Sequence, residues 1–141
     1  MTTLITNTAA KIVAPLIFVT SMVLFVQGHN TIGGGFVAAV LIVSAISLLY
    51  IAYGTENLTR LLNIYPSELN RKMLVSGLML ILLTGSIPVL FNMPFLTQAY
   101  WVLPTISFLG ELKISTAIFF DLGVLLTVTG SLLSILSGVS R

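Results

Sequence analysis

The sequence has 141 residues, of which 57% are hydrophobic and 7% are charged, whereas a soluble domain carries about 25% charged residues. Its mean hydropathy is +1.11, its formal net charge is +2, and it contains no cysteine. These values are typical of a membrane protein. The lack of cysteine excludes disulfides, thiolate metal sites and thiol catalysis.

Four apolar segments are long enough to cross a membrane, because a helix needs roughly 20 apolar residues to span about 30 Å of hydrocarbon. We predict helices at 4–27, 33–53, 72–91 and 114–136, in a single membrane domain that covers 1–141. The predicted fold class is therefore an all-α integral membrane protein with four transmembrane helices. Before the third span, Pro66, Ser67 and Glu68 carry the signals of a helix start.

Basic residues are distributed unevenly between the two predicted sides of the membrane. The side with both termini and the loop 54–71 holds five of the six: Lys11, Arg60, Arg71, Lys72 and Arg141. The other side holds Lys113. Because short loops rich in Lys and Arg stay in the cytoplasm, we predict that both termini lie inside, an N-in/C-in topology.

The connection between the third and fourth spans, residues 92–113, is half apolar and contains Tyr100 and Trp101. Tyr and Trp favour the interface between headgroups and water. We expect an outer interfacial cap over the bundle, with a short helix that lies in the interface. A substrate-binding lid is the alternative.

The first outer turn reads GHNTIGGGF and carries polar residues in an otherwise apolar region. Gly33, Gly34 and Gly35 would weaken an isolated helix by about 1 kcal/mol each relative to alanine, so we expect them to serve close backbone approach or positive φ. They form either a tight structural turn between closely packed helices or a helix start whose NH groups receive a carboxylate or an anion. Asn30 is interpreted as a turn residue. His29 is an ion-relay candidate because histidine is the side chain type that ordinarily changes charge near neutral pH; the alternative is that it forms a hydrogen bond in the loop.

Asp121 is the one charge predicted within a span and away from its ends, seven residues after Ile114 and so roughly 10 Å below the outer boundary. An intramembrane carboxylate costs about 2.5–3.5 kcal/mol by insertion scales and indicates a functional site by default. Asp121 is therefore the main ion-relay candidate, and a packing residue is the alternative.

A second face of the last span consists of small residues suited to close helix packing: Gly123, Thr127, Gly130, Ser134 and Gly138. Asp121 lies on nearly the opposite face of the same helix. Four helices can hardly cover both faces, so we expect the chain to be one part of a larger membrane assembly.

The run GHNTIGGGF, the stretch ISTAIFFDLGV and four helices in about 140 residues together resemble the B subunits of the Mrp-type multisubunit Na⁺/H⁺ antiporters. The resemblance spans nearly the whole chain. Many members read H-N-x-P-G-G-G, and this chain has Ile32 in place of the proline, which leaves the turn less rigid.

The resemblance implies a multi-pass protein of the bacterial plasma membrane, in a complex with the A, C, D, E, F and G subunits that exchanges Na⁺ and H⁺. In that family, the A and D subunits resemble the proton-pumping subunits of respiratory complex I, and the B type is similar to the carboxyl-terminal part of the A type. We expect a role in assembly and activity of the complex, with at most an ion relay or cation contact at Asp121. Membrane lipids are the other expected contacts.

Two rival interpretations remain open. A purely structural scaffold predicts that Asp121→Asn is tolerated, and an independent small transporter predicts ion flux from this chain alone. We do not expect an enzyme, a catalytic residue, a cofactor, a metal site or a nucleic-acid partner, since the sequence shows no nucleophile with a base, no metal cluster and no phosphate-binding loop.

Overall fold

The computed structural model describes residues 4–28, 33–54, 66–97, 100–102 and 113–139. Its four helices are α1 (Leu4–Gln27), α2 (Gly35–Tyr53), α3 (Pro66–Leu90) and α4 (Ala117–Val139). All four are long and apolar enough to cross a membrane. The prediction of a membrane protein with four spanning helices is confirmed, while the N-in/C-in topology stays a prediction of the charge distribution.

For α1 and α2, three of the four helix ends lie at the residues predicted from the sequence. α1 has the predicted bounds, and α2 ends at Tyr53 as predicted but begins at Gly35, because Gly33 and Gly34 belong to the turn. α3 begins at Pro66, six residues before the apolar window. Proline fits the first helical position because the NH it lacks would have no partner within the helix.

A short antiparallel pair of strands precedes α4. β1 (Tyr100–Val102) pairs with β2 (Lys113–Ser115), with Trp101 opposite Ile114. The prediction of a short interfacial helix in this connection is therefore wrong for residues 100–102, which form a strand. Aromatic and β-branched residue types favour strands, and pairing satisfies backbone groups that an isolated segment would leave open.

The strand pair also moves the start of α4. Residues 113–115 belong to β2, so α4 begins at Ala117 rather than at 114, and it continues to Val139 rather than 136. Residues 98–99 and 103–112 lie outside the described residues, so the interfacial cap and the lid stay predictions.

The helices pack in the order α1, α2, α4, α3. α2 lies between α1 and α4, and α4 lies between α2 and α3. In the described residues α1 and α3 share no substantial contact, so the helices form a row and not a closed four-helix bundle. We call the end where α1 finishes and α2 and α4 begin the glycine end, and the opposite end the termini end.

The interior of this row is made of small side chains. Ala10, Ala14, Ala38, Ala39 and Ala45 are each at most 3% exposed. Many large aliphatic side chains point outward, among them Leu16, Val26 and Met79. Lipid is as apolar as these side chains, so close packing at small residues, not burial of large ones, holds membrane helices together.

Candidate functional site

The turn at the glycine end brings backbone against backbone. The Gly34 NH donates a hydrogen bond of 3.2 Å to the Leu24 carbonyl oxygen near the end of α1. A Cβ on Gly33 would lie 2.6 Å from that oxygen, and a Cβ on Gly28 would overlap the Gly34 nitrogen. The turn closes only because these positions lack side chains, and it supplies a partner for one of the last carbonyls of α1.

Gly34 also needs the backbone freedom of glycine. Its φ is +103° and its ψ is −179°, a combination that is essentially restricted to glycine. Its carbonyl oxygen accepts the first hydrogen bond of α2, from the Ala38 NH at 3.1 Å. Gly34 therefore ends the turn and starts the helix.

Asp121 of α4 meets the start of α2. A Cβ on Gly35 would overlap the Asp121 carbonyl oxygen and would lie 3.2 Å from the Leu125 nitrogen. A Cβ on Gly34 would lie 3.3 Å from the Asp121 Oδ2 atom. The backbones of α2 and α4 are thus in direct contact, and the carboxylate lies against the first residues of α2.

This position is electrostatically favourable for a carboxylate. The amino end of a helix carries a partial positive charge, which stabilises a nearby anion by about 0.3–1 kcal/mol, and by up to about 2 kcal/mol where the site is partly buried. Asp121 is half-buried. The start of α2 therefore offsets a substantial part of the roughly 2.5–3.5 kcal/mol that an intramembrane carboxylate costs.

The small-residue face of α4 packs on α3. A Cβ on Gly123 would lie 3.0 Å from the Gly77 carbonyl oxygen, and a Cβ on Gly77 would lie 2.6 Å from the Thr127 nitrogen. Further along α4, a Cβ on Gly130 would lie 2.7 Å from the Asn70 carbonyl oxygen. The Thr127 hydroxyl donates to the Gly123 carbonyl oxygen at 2.8 Å, within the same helix.

Both faces of α4 therefore find neighbours within this chain at Asp121 and from Gly123 to Gly130, so the expectation that four helices could hardly cover both faces is wrong for that part of the helix. It overlooked that α4 lies inside the row, between α2 and α3. The contact does not extend along the whole stripe. Ser134 is exposed and donates to the Gly130 carbonyl oxygen, and a Cβ on Gly138 would meet nothing within 4 Å.

A meeting of Asp121 with the glycine run was expected from the sequence, because both lie on the same predicted side of the membrane, but the α3 partners of the small-residue face were not. On α3, Gly77 packs against Gly123 and Thr127, and an apolar span with Gly77 and Gly85 about two turns apart was the available signal. The Leu24 carbonyl oxygen could not be predicted as the hydrogen-bond acceptor of Gly34, because every residue carries a carbonyl group. His29 and Asn30 lie outside the described residues. In the part of the chain that the structure describes, no three His, Cys, Asp or Glu residues cluster as metal ligands would.

The architecture is that of a small multi-pass membrane protein whose helices are held together by close contacts at glycine and alanine. Residues 5–134 match the family model described as "Domain related to MnhB subunit of Na+/H+ antiporter". The chain is 39% identical over 143 residues to the B subunit of the Na(+)/H(+) antiporter of Bacillus subtilis (strain 168), covering 98% of this chain and 93% of that one. It is 34% identical over 135 residues to the corresponding B subunit of Alkalihalophilus pseudofirmus, covering 96% and 90%.

The chain belongs to the MnhB family of Na⁺/H⁺ antiporter subunits. It is a multi-pass protein of the bacterial plasma membrane and a component of a multisubunit ion-transport system, a transporter rather than a classical enzyme.

Proposed function

We propose that this chain is required for the assembly and the activity of a multisubunit Na⁺/H⁺ antiporter, and that its partners are the A, C, D, E, F and G subunits of the Mrp type. The names of its relatives support the antiporter, since both are B subunits of Na⁺/H⁺ antiporters. Na⁺ and H⁺ are the ions that the complex exchanges.

The observation that supports a role beyond assembly is the contact between Asp121 and the start of α2. The missing side chains of Gly34 and Gly35 let the carboxylate and its backbone approach α2 more closely than any other residue type would allow. The carboxylate therefore has a built position, close to a positive helix end. We assign it a minor relay role: it receives a proton or contacts a cation that another subunit supplies.

A structural scaffold is the second candidate, because one observation favours it. The tightest contact at the site is made by the Asp121 carbonyl oxygen with Gly35, and this contact needs no charge on the side chain. An independent transporter is less well supported. The other charged side chains in the described spans lie at the termini end, where α1 and α3 begin, and not beside Asp121.

Replacing Asp121 separates the relay from the scaffold. Asp121→Asn keeps the shape and most of the hydrogen-bonding capacity but can neither carry charge nor transfer a proton, while Asp121→Ala removes all three. The measurements are the amount of complex on native gels and Na⁺-driven proton movement in everted membrane vesicles across a range of pH. Glu68→Gln, at an exposed carboxylate that pairs with Lys72 at 3.9 Å, is the matched control.

The relay predicts that Asp121→Asn assembles normally and loses antiport or shifts its pH profile, while Glu68→Gln behaves as the wild type. The scaffold predicts that Asp121→Asn is silent and that Asp121→Ala lowers assembly. Normal exchange and normal growth in sodium at alkaline pH with Asp121→Asn would end the relay proposal. Normal assembly and exchange after deletion of the whole chain would end the proposed function itself.

A further inference from the structure

An open groove of about 360 Å³ runs between α1 and α2 at the termini end of the row. Its floor is formed by Ala10, Ala14 and Ala45, which are at most 3% exposed. Its wall on α1 includes Phe18 and Val19. The small floor residues keep the helices close, and the larger wall residues stand out beside them, so the groove is apolar along its length.

The length of the groove matches one leaflet of a bilayer. From residue 10 to residue 19 it follows α1 for about 14 Å at 1.5 Å per residue, which is about half of a hydrocarbon core of roughly 30 Å. It also starts near one membrane boundary, because Ala10 and Lys11 follow shortly after Thr6, the first residue of the candidate span.

Lys11 and Tyr53 lie at the boundary end of the groove, on the first half of α1 and at the last residue of α2. Lys11 is exposed, and its flexible stem is long enough to bring the ammonium group up to the headgroup level. Tyrosine at this depth is typical of the membrane interface. Of the acidic side chains in the described ranges, Glu68 and Asp121 lie on α3 and α4, away from Lys11.

We propose that this groove binds one anionic phospholipid of the leaflet at the termini end, with an acyl chain along Ala10, Ala14 and Ala45 and the headgroup phosphate at Lys11. Charge complementarity selects the ligand: a lysine ammonium at the headgroup end of an apolar, leaflet-length groove attracts a lipid of net negative charge over a zwitterionic one. The bound lipid fills the space between α1 and α2 and holds α1, one of the two end helices of the row, in place against α2.

The test uses the complete antiporter complex, reconstituted in phosphatidylcholine vesicles that contain a trace of one of two probes, phosphatidylglycerol or phosphatidylcholine with a photoreactive group in its acyl chain. After illumination, mass spectrometry measures labelling of the peptide that contains residues 10–19. Competition with unlabelled phosphatidylglycerol, added against the phosphatidylcholine background, gives the affinity of the groove for phosphatidylglycerol relative to phosphatidylcholine. Variants are compared at equal amounts of assembled complex on native gels.

Lys11→Gln removes the charge from an exposed side chain and leaves the groove intact. We expect it to weaken the apparent affinity for phosphatidylglycerol about fivefold, which corresponds to about 1 kcal/mol for one basic residue at the surface, with no change for phosphatidylcholine. Val19→Trp narrows the groove and should lower labelling by either lipid. The matched controls on α3, Lys72→Gln and Val75→Trp, change the same residue types at exposed positions and should label as the wild type.

Two results would overturn the proposal. One is labelling of residues 10–19 that neither Lys11→Gln nor Val19→Trp reduces. The other is efficient cross-linking of a cysteine at position 19 to another subunit, which would show that protein and not lipid covers the groove. Position 19 can be tested directly because the chain contains no cysteine of its own.

Discussion

Adding a single methyl group at Gly35 should separate α2 from α4. The Cβ of alanine would overlap the Asp121 carbonyl oxygen and lie 3.0 Å from the Asp121 carbonyl carbon. Since carbon atoms in contact prefer about 3.5–4.0 Å, the two helices must move apart by on the order of 1 Å. Overpacking of this kind costs about 1–3 kcal/mol.

The helix propensity of alanine opposes this cost. Alanine is better than glycine by up to about 1 kcal/mol in a helix interior, and Gly35 is the first residue of α2, where the gain is smaller. We therefore expect Gly35→Ala to destabilise the contact by about 1–2 kcal/mol, a factor of roughly 5–30 in the equilibrium between packed and separated helices.

The assay is the heat stability of the assembled complex, followed on native gels, together with antiport in everted vesicles. Gly138→Ala is the matched control, because it makes the same change within α4 at a position where the added Cβ would meet nothing within 4 Å. Gly35→Ala should lower the temperature at which the complex dissociates, and Gly138→Ala should not. If both variants are as stable as the wild type, α2 and α4 are not in backbone contact at this site.

Three further predictions concern the glycine end and the topology. Lys72 and Met93 are exposed and can each be replaced by a single cysteine. In intact cells an impermeant thiol reagent should label the cysteine at 93 but not the one at 72, and the reverse pattern would contradict the N-in/C-in topology. Gly34→Val should reduce the amount of assembled complex on native gels, because a β-branched residue strongly resists a φ of +103°; a fully assembled variant would remove the structural reason for the glycine turn. His29→Ala should assemble normally and change exchange rates only modestly, and a complete loss of exchange would give His29 a larger role than we assign to it.

The sequence predicted the features that depend on neighbouring residues along the chain. Four apolar windows indicated the four spans, and Pro66 marked the true start of α3 although the apolar window began later. The glycine run indicated close backbone approach, and the structure places Asp121 against it.

What the sequence did not predict depends on contacts between distant segments. β1 and β2 form because residues 100–102 and 113–115 meet, and the apolar pattern of that connection suited an interfacial helix equally well. The order of the helices in the row was also hidden, because a span surrounded by lipid and a span surrounded by protein are both apolar. Gly77 was missed for the same reason: a glycine shows that something approaches closely, but not which helix.

The row has a consequence for the proposed relay. In a closed bundle, a carboxylate between two helices would be surrounded by the other two, but here α2 and α4 have α1 and α3 only at their far sides. Asp121 is accordingly half-buried and not enclosed. The other charged side chains in the described spans lie at the termini end, where α1 and α3 begin. Within the described spans no second charged side chain lies beside Asp121, so we expect a proton or cation to reach it through another subunit placed on a face of the row. The relay should then fail when the chain is produced alone and appear only in the assembled complex. Ion exchange by the isolated chain in vesicles would contradict this requirement and favour an independent transporter.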